Sequence, residues 1–175
     1  MSILIKTKRL YLREFQLSDD KSMFNLNADW DVIKYTGDPP FDSIEQAHNF
    51  IMNYSEYRRS GFGRWAVIQK EDDEFIGWCG LKRNEQELVD IGFRFFKKYW
   101  GQGFATESAK ICLKYGFEQL DLKEIIGRAA DENLASIHVL KKLGMKFWKK
   151  DTCKGIDNSV YYRLTKKEYQ IHLET

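Results

Sequence analysis

The sequence predicts an α/β (α+β) domain: a mixed β-sheet of about seven strands with helices on its faces, formed by residues 1–175 as one unit. Three observations lead there. Apolar residues recur with a period of two in several short segments and with helical spacing in others. The segments run strand, two helices, three strands, helix, strand, helix, two strands, so helices interrupt a meandering sheet instead of alternating with every strand. A chain of 175 residues that is 43% hydrophobic can bury one sizeable core, and it carries no repeat, low-complexity tract or linker that would divide it.

Residues 3–15 read as the first strand, because Leu10 and Leu12 alternate with Tyr11 and Arg13. Ser18-Asp19-Asp20 signals a helix start before Met23, Phe24 and Leu26. Residues 30–41 have no period and contain Gly37 and Pro39-Pro40, which predicts a loop. Asp42 or Ser43 then caps a helix through Arg59, with Ile44, Ala47, Phe50, Ile51 and Tyr54 at helical spacing. Strands over 64–69 and 75–81 flank the acidic turn Glu71-Asp72-Asp73-Glu74 as a hairpin, and a third strand covers 89–96. The strongest helical pattern spans 104–120, where Ala105, Ala109, Cys112, Leu113, Gly116, Phe117 and Leu120 share one face. A strand over 123–130, a short helix over 133–143 stopped by Gly144, and a closing hairpin of 145–150 with 160–164 complete the order.

Bulk properties exclude several classes. The 28 basic and 26 acidic residues leave a net charge of +2 and are spread along the chain, so they predict a solvated surface. Without an arginine-rich arm or zinc-finger spacing, direct nucleic-acid binding is not expected. Cys79, Cys112 and Cys153 are odd in number and far apart, which predicts reduced, mostly buried thiols. Lys6, Lys8 and Arg9 break the first apolar run, and no stretch approaches the roughly 20 apolar residues of a membrane span. The expectation is a cytoplasmic protein with no membrane partner; a homodimer is left open. His48, His138 and His172 lack partners at metal-ligand spacing, so no metal is expected.

The most informative segment is Tyr99-Trp100-Gly101-Gln102-Gly103-Phe104-Ala105-Thr106-Glu107, a two-glycine turn between a strand and a long helix. Glycine admits unusual backbone angles and close ligand approach. The first helical turn leaves amide N–H groups unpaired at the positive end of the helix dipole, which favours an anion such as a pyrophosphate. No Gly-Lys-Ser/Thr follows, so this is not a P-loop, and Thr106 occupies the third-glycine position of a dinucleotide fingerprint.

This segment closely resembles the coenzyme A-binding motif of the GNAT acetyltransferases, with Gly103 and Ala105 at its last two defined positions. Trp100 stands where that motif usually carries Arg or Gln, but Trp-Gly-x-Gly is usual in the branch typified by ribosomal-protein N-terminal acetyltransferases. Three further stretches resemble the same branch: Thr7-Lys8-Arg9-Leu10-Tyr11-Leu12-Arg13, Asp90-Ile91-Gly92-Phe93, and Asn133-Leu134-Ala135-Ser136 followed by Leu143-Gly144-Met145. The resemblance implies a strongly bent sheet whose fourth and fifth strands splay apart, with acetyl-CoA as cosubstrate in the gap. It places the pantetheine arm along the backbone of Phe93, Arg94 and Phe95. The pyrophosphate falls on the turn formed by Trp100, Gly101, Gln102, Gly103, Phe104, Ala105 and Thr106, and Asn133 and Ser136 reach the arm from the other side.

For the chemistry, the resemblance implies direct attack by a neutral amine in a ternary complex, a strand N–H for the developing oxyanion and no cysteine nucleophile. Many relatives carry a tyrosine acid four residues before the helix-ending glycine, and here that residue is Leu140. Ser136, one helical turn earlier, becomes the candidate donor to sulfur, with a purely coenzyme-binding or capping role as its alternative. Asp90 is the candidate general base, with a paired carboxylate as its alternative. Acceptor choice is expected from the irregular segment after residue 30, with Trp30, Tyr35 and Phe41 walling the pocket. The expected activity is N-acetylation of a protein N-terminus or a small amine. The Leu140 departure keeps a non-catalytic coenzyme-binding module as the competing reading.

Overall fold

The computed structural model describes residues 3–174. The expected first strand is two: β1 (Ile3–Lys6) and β2 (Leu10–Arg13) pair antiparallel. Thr7 makes the reversal, its hydroxyl accepting the Leu10 N–H at 3.0 Å while its own N–H donates to the Leu10 carbonyl at 2.9 Å. The sheet therefore has eight strands where the sequence predicts about seven.

Four helices follow: α1 (Asp20–Ala28), α2 (Trp30–Ile33), α3 (Ile44–Met52) and α4 (Glu56–Ser60). The predicted loop thus opens with a helical turn, N-capped by the Asp29 side chain on the Asp31 N–H. The helix predicted through Arg59 stops at Met52 and restarts at Glu56. Ser43 caps α3, its side chain accepting from the Gln46 N–H at 3.1 Å. Strands β3 (Arg64–Gln69), β4 (Phe75–Arg83) and β5 (Val89–Phe95) form an antiparallel meander. Helix α5 (Phe104–Lys114) runs on through a π turn at Tyr115–Gln119. After β6 (Glu124–Ala130) and α6 (Leu134–Lys142) come β7 (Lys146–Cys153) and β8 (Ile156–Thr165), a longer hairpin than predicted. A last helix, α7 (Lys166–Glu174), was not foreseen from the pattern.

Strand order is β1-β2-β3-β4-β5-β6-β8-β7. Alternation along the strands sorts apolar side chains onto two faces. One face, with Leu12, Trp65, Val67, Leu81, Ile91 and Ile125, packs against Ala109, Cys112 and Leu113 of α5 and against Phe117. The other, with Ala66, Ile68 and Phe75, packs against Met23, Leu26, Ala47 and Ile51 of α1 and α3. Fully burying a side chain of this size contributes about 1.5–3 kcal/mol, so both faces hold helices firmly.

Every neighbouring pair is antiparallel except β5 and β6, which run parallel and pair only through Asp90↔Ile126 and Ile91↔Gly127. Beyond Ile91 the β5 strand continues against β4, from Gly80↔Gly92 to Gly77↔Phe95, without a partner on β6. The sheet opens there, between the strands the resemblance calls fourth and fifth.

Candidate active site

A cavity of about 150 Å³ lies in this opening. Its walls include Ile91, Gly92, Phe93 and Arg94 of β5, Arg128, Ala129 and Ala130 of β6, and Asn133, Ser136 and Leu140 of the α6 region. Tyr35 and Thr36, Arg64 and Trp78, and Cys153, Lys154, Ile156 and Ser159 close it from the α1–α3 side and the β7–β8 turn.

Past the end of β5, outside the cavity lining, stands the two-glycine turn. Gly103 is the N-cap of α5 with φ +81°, and Gly101 has φ +72°, both in the left-handed region that side chains disfavour. A β-carbon at Gly101 would meet nothing within 4 Å, so the outer side of the turn is open. The first helical bond runs from the Glu107 N–H to the Gly103 carbonyl at 2.9 Å, which leaves the amides of Phe104, Ala105 and Thr106 ahead of it. An open turn with three such amides at a helix start fits a pyrophosphate. The Phe104 ring is buried and contributes packing, so its amide is the part available to a ligand.

Arg9 anchors this turn and was not singled out as a site residue. Its guanidinium donates to the Gln102 carbonyl at 2.9 Å and to Glu107 at 2.7 Å, and lies 4.2 Å from the centre of the Phe104 ring. The Thr7 hydroxyl, at 2.6 Å, and the Arg9 N–H, at 3.0 Å, also donate to Glu107. Burial works against the charge of Glu107, but these three donors outweigh it and hold the carboxyl below its ordinary value. Trp100 is half exposed, and its indole N–H donates to the Phe95 carbonyl at 2.9 Å, so the last residue of the open edge is tied to the turn.

On the α6 side, Asn133 is the N-cap. Its side-chain oxygen accepts the Ser136 N–H at 3.2 Å, leaving the amide NH₂ for a ligand. Ser136 is half-buried on the cavity wall. Leu140 is buried and packs directly on Gly127, where a β-carbon would come within 2.5 Å of its methyl group. No hydroxyl occupies that place.

Opposite lies a charged array. Asp90 is buried, with one oxygen bonded to Arg64 and the other to Arg128 at 2.8 Å. Arg64 reaches it across Gly92, where a β-carbon would sit 2.6 Å from the guanidinium carbon. Any other residue at position 92 would displace the arginine. Arg128 also donates to Glu85 at 2.8 Å; burial opposes its charge, but Asp90, Glu85 and the other groups around it together outweigh burial and keep it protonated. Arg94 bonds the Asn27 side-chain oxygen and Asp38, the latter at 2.8 Å, and Lys154 donates to Asp38 at 3.0 Å. These bonds pin the segment after α2 to β5 and to the β7–β8 turn. Burial opposes the charge of Asp38 as well, yet the two cations hold its carboxyl below the ordinary range.

The predicted acceptor residues divide. Tyr35 lines the cavity. Trp30 does not: it is 69% exposed on α2. Phe41 packs on Phe50 with ring centres 5.6 Å apart and faces a separate groove with Tyr54 and Lys82. Both are corrected, because α2 turns the chain outward at residue 30 and Phe41 joins the α1–α3 core. Asp90, with each oxygen accepting from an arginine, stands as the paired carboxylate of the alternative reading. Arg64, Arg128 and Lys154 were missed; they come from three separate strands or turns, and no local pattern links them.

Cys79 and Cys112 are buried in the α5-side core with sulfurs 3.8 Å apart, and burial pushes the Cys112 thiol up. Cys153 lines the cavity, and burial raises its thiol too, which disfavours a nucleophilic thiolate.

Comparison with known proteins agrees with this geometry. The model of the acetyltransferase (GNAT) domain matches residues 9–146. The N-acetyltransferase p20 of Bacillus licheniformis is 34% identical over 173 residues, covering 93% of this chain and 96% of that protein. The FsC-acetyl coenzyme A-N(2)-transacetylase of Aspergillus fumigatus is 32% identical, covering 94% and 77%. A spermidine N-acetyltransferase from Vibrio cholerae, solved with CoA and spermine, shares the fold with a TM-score of 0.78 at 20% identity, covering 94% of this chain and 99% of that one. The chain belongs to the GNAT family of acetyltransferases, enzymes whose acetyl donor is acetyl-CoA.

Proposed function

We propose that the protein acetylates a primary amine, either a protein N-terminal α-amine or the amine of a small molecule, by direct attack in a ternary complex. The observation that carries this reading is the opening of the sheet after Ile91, with a turn of free helix-start amides past the end of β5 and a cavity lined by charged and apolar side chains in the gap. Acetyl-CoA would supply an acetyl group already activated as a thioester. The amides of the segment from Gly101 to Thr106 would hold its pyrophosphate, the unpaired β5 edge at Phe93, Arg94 and Phe95 its pantetheine arm, and the Asn133 amide would donate to the same arm. Ser136 is assigned as the hydrogen-bond donor to the sulfur, since Leu140 has no proton to give.

Asp90 is assigned a positioning role: it fixes Arg64 and Arg128 rather than accepting the amine's proton. A site with no free base suits an amine that is partly neutral by itself. An α-amine has a pKa of about 7.7–8.0, so roughly a third is neutral near pH 7.5, whereas a lysine at about 10.4 is almost wholly protonated. This favours an α-amine or another weakly basic amine. It also fits the branch of ribosomal-protein N-terminal acetyltransferases, whose motifs Thr7–Arg13 and Asn133–Ser136 resemble. Among the described residues no helix is long and apolar enough to cross a membrane, and we place the protein in the cytoplasm on the reading of its cysteines as reduced thiols. The test is a screen of acetyl-CoA turnover against peptides and small amines, read by release of free thiol. Turnover with at least one class is expected. Tight acetyl-CoA binding with no turnover across the panel would overturn the catalytic reading in favour of a coenzyme-binding module.

A further inference from the structure

The acceptor side of the cavity is lined by four cationic side chains, Arg64, Arg94, Arg128 and Lys154, against one carboxylate, Asp90. Two more carboxylates, Asp38 and Glu85, attach from outside the lining. Each oxygen of Asp90, and of Asp38 outside the lining, already accepts from a cation. Asp90 gives one to Arg64 and one to Arg128, and Asp38 gives one to Lys154 and one to Arg94. Glu85, 61% exposed, lies at the outer rim of the array. Even with Glu85 counted, the cations exceed the carboxylates by one.

The donors, by contrast, are not spent. A guanidinium has five N–H groups and an ammonium three. Arg128 uses two on Glu85 and Asp90, and Lys154 uses one on Asp38 while its side chain stays half exposed. The cavity therefore offers hydrogen-bond donors and positive charge to whatever enters beside the amine, and its one lining carboxylate, Asp90, is already matched by two arginines. A like charge brought into such a space loses its water and meets repulsion, whereas an anion finds charge-assisted donors already held in place by the Asp90 and Asp38 pairs.

We infer that the acceptor is a primary amine carrying a carboxylate, and that polyamines are disfavoured. The inference rests on the acetyltransfer proposed above and narrows its acceptor. It separates this chain from its structural neighbour solved with spermine, in spite of the shared fold. The carboxylate belongs to a free amino acid or to an acidic residue at the start of a peptide, two sources of one chemistry.

The experiment measures kcat/KM by thiol release on matched acceptors that differ only at the far end: ω-amino acids, alkylamines and diamines of equal chain length, over lengths from glycine upward. Peptides with aspartate or lysine as second residue form a second arm and identify which source is used. The expected order is carboxylate, then neutral, then ammonium, with carboxylate and ammonium separated by at least about tenfold at the best length. Added salt should narrow the gap. Lys154→Glu should shrink or reverse the ratio, while Lys154→Arg keeps it; circular dichroism checks that both variants fold. A preference for diamines or lysine peptides at every length, or an unchanged ratio in a folded Lys154→Glu protein, overturns this inference and leaves the acetyltransferase reading intact. Acetyl-CoA binding without thiol release from any acceptor overturns both.

Discussion

The two walls of the opening are built from different material. The wall that fits the coenzyme is mostly backbone: the amides after Gly103, the unpaired edge of β5 beyond Ile91 and a helix N-cap at Asn133. The acceptor wall is mostly side chain: Arg64, Arg128, Arg94 and Lys154 held by Asp90 and Asp38. A backbone site tolerates many side chains as long as its turn keeps its shape, so it can serve one common donor. A side-chain site changes with single substitutions, so it is where acceptors are told apart.

The contrast is broken most severely by removing Asp90. Asp90→Ala would leave two largely buried guanidinium groups without their shared counter-charge, and truncating one partner of a buried pair costs about 3–5 kcal/mol. Denaturant unfolding should show that loss, while Asp90→Asn should lose less. A variant as stable as the parent would mean that the array is not a structural unit. The next effect concerns chemistry. Ser136→Ala should lower the single-turnover rate by about 10²-fold, within the range of general acid–base catalysis, while coenzyme affinity changes by no more than the 0.5–1.5 kcal/mol typical of one hydrogen bond. An unchanged rate would return Ser136 to a binding role and leave water as the proton source.

Gly103→Val probes the backbone wall. The new side chain meets a left-handed φ and stands beside Arg9, 3.4 Å from its β-carbon position, so the amides should turn out of register. Coenzyme affinity by calorimetry should weaken by at least about tenfold, or 1.4 kcal/mol, with acceptor selectivity unchanged in the remaining activity. Normal affinity in a folded variant would remove the turn from the site.

The smallest effect is a pH dependence. Because the folded-state pKa of Glu107 is depressed, its contribution to stability is complete above the ordinary carboxylate value of about 4.3 and is lost as pH falls through the lower folded value. Glu107→Gln should therefore cost about 1 kcal/mol near neutrality, the size of one hydrogen bond, and the gap to the parent should narrow as pH falls below about 4. Melting temperatures at pH 7 and pH 3.5 check this, and a gap that persists or grows in acid would contradict it.

The same division explains what could be read from the chain. Gly101, Gly103 and the helix pattern after them are contiguous, so the turn and the helix start proposed to hold the coenzyme were visible as sequence. Arg9 was invisible in that role because Glu107 lies 98 residues away, and nothing near Arg9 announces the contact. Asp90 was visible as a carboxylate on a strand, but its two arginines lie on β3 and β6, and only their arrival turns it from candidate base into anchor. The split of residues 3–15 was missed for a local reason: Thr7 makes the reversal with its side chain, in place of the glycine or proline that usually marks one. Residue 30 was expected at the pocket because aromatic residues often line pockets, yet α2 carries Trp30 to the outside.

The two residue pairs between β5 and β6 also have a mechanical meaning. They join a plate of five strands to a plate of three along a seam two rungs long. A coenzyme laid along residues 92–95, as proposed, would supply the rungs the seam lacks and would act as a temporary strand as well as a reactant. Binding then stiffens the domain as a whole. Its melting temperature should climb with coenzyme concentration as mass action requires, and amide exchange should slow on β6 and β8, far from the pyrophosphate, as well as at the turn.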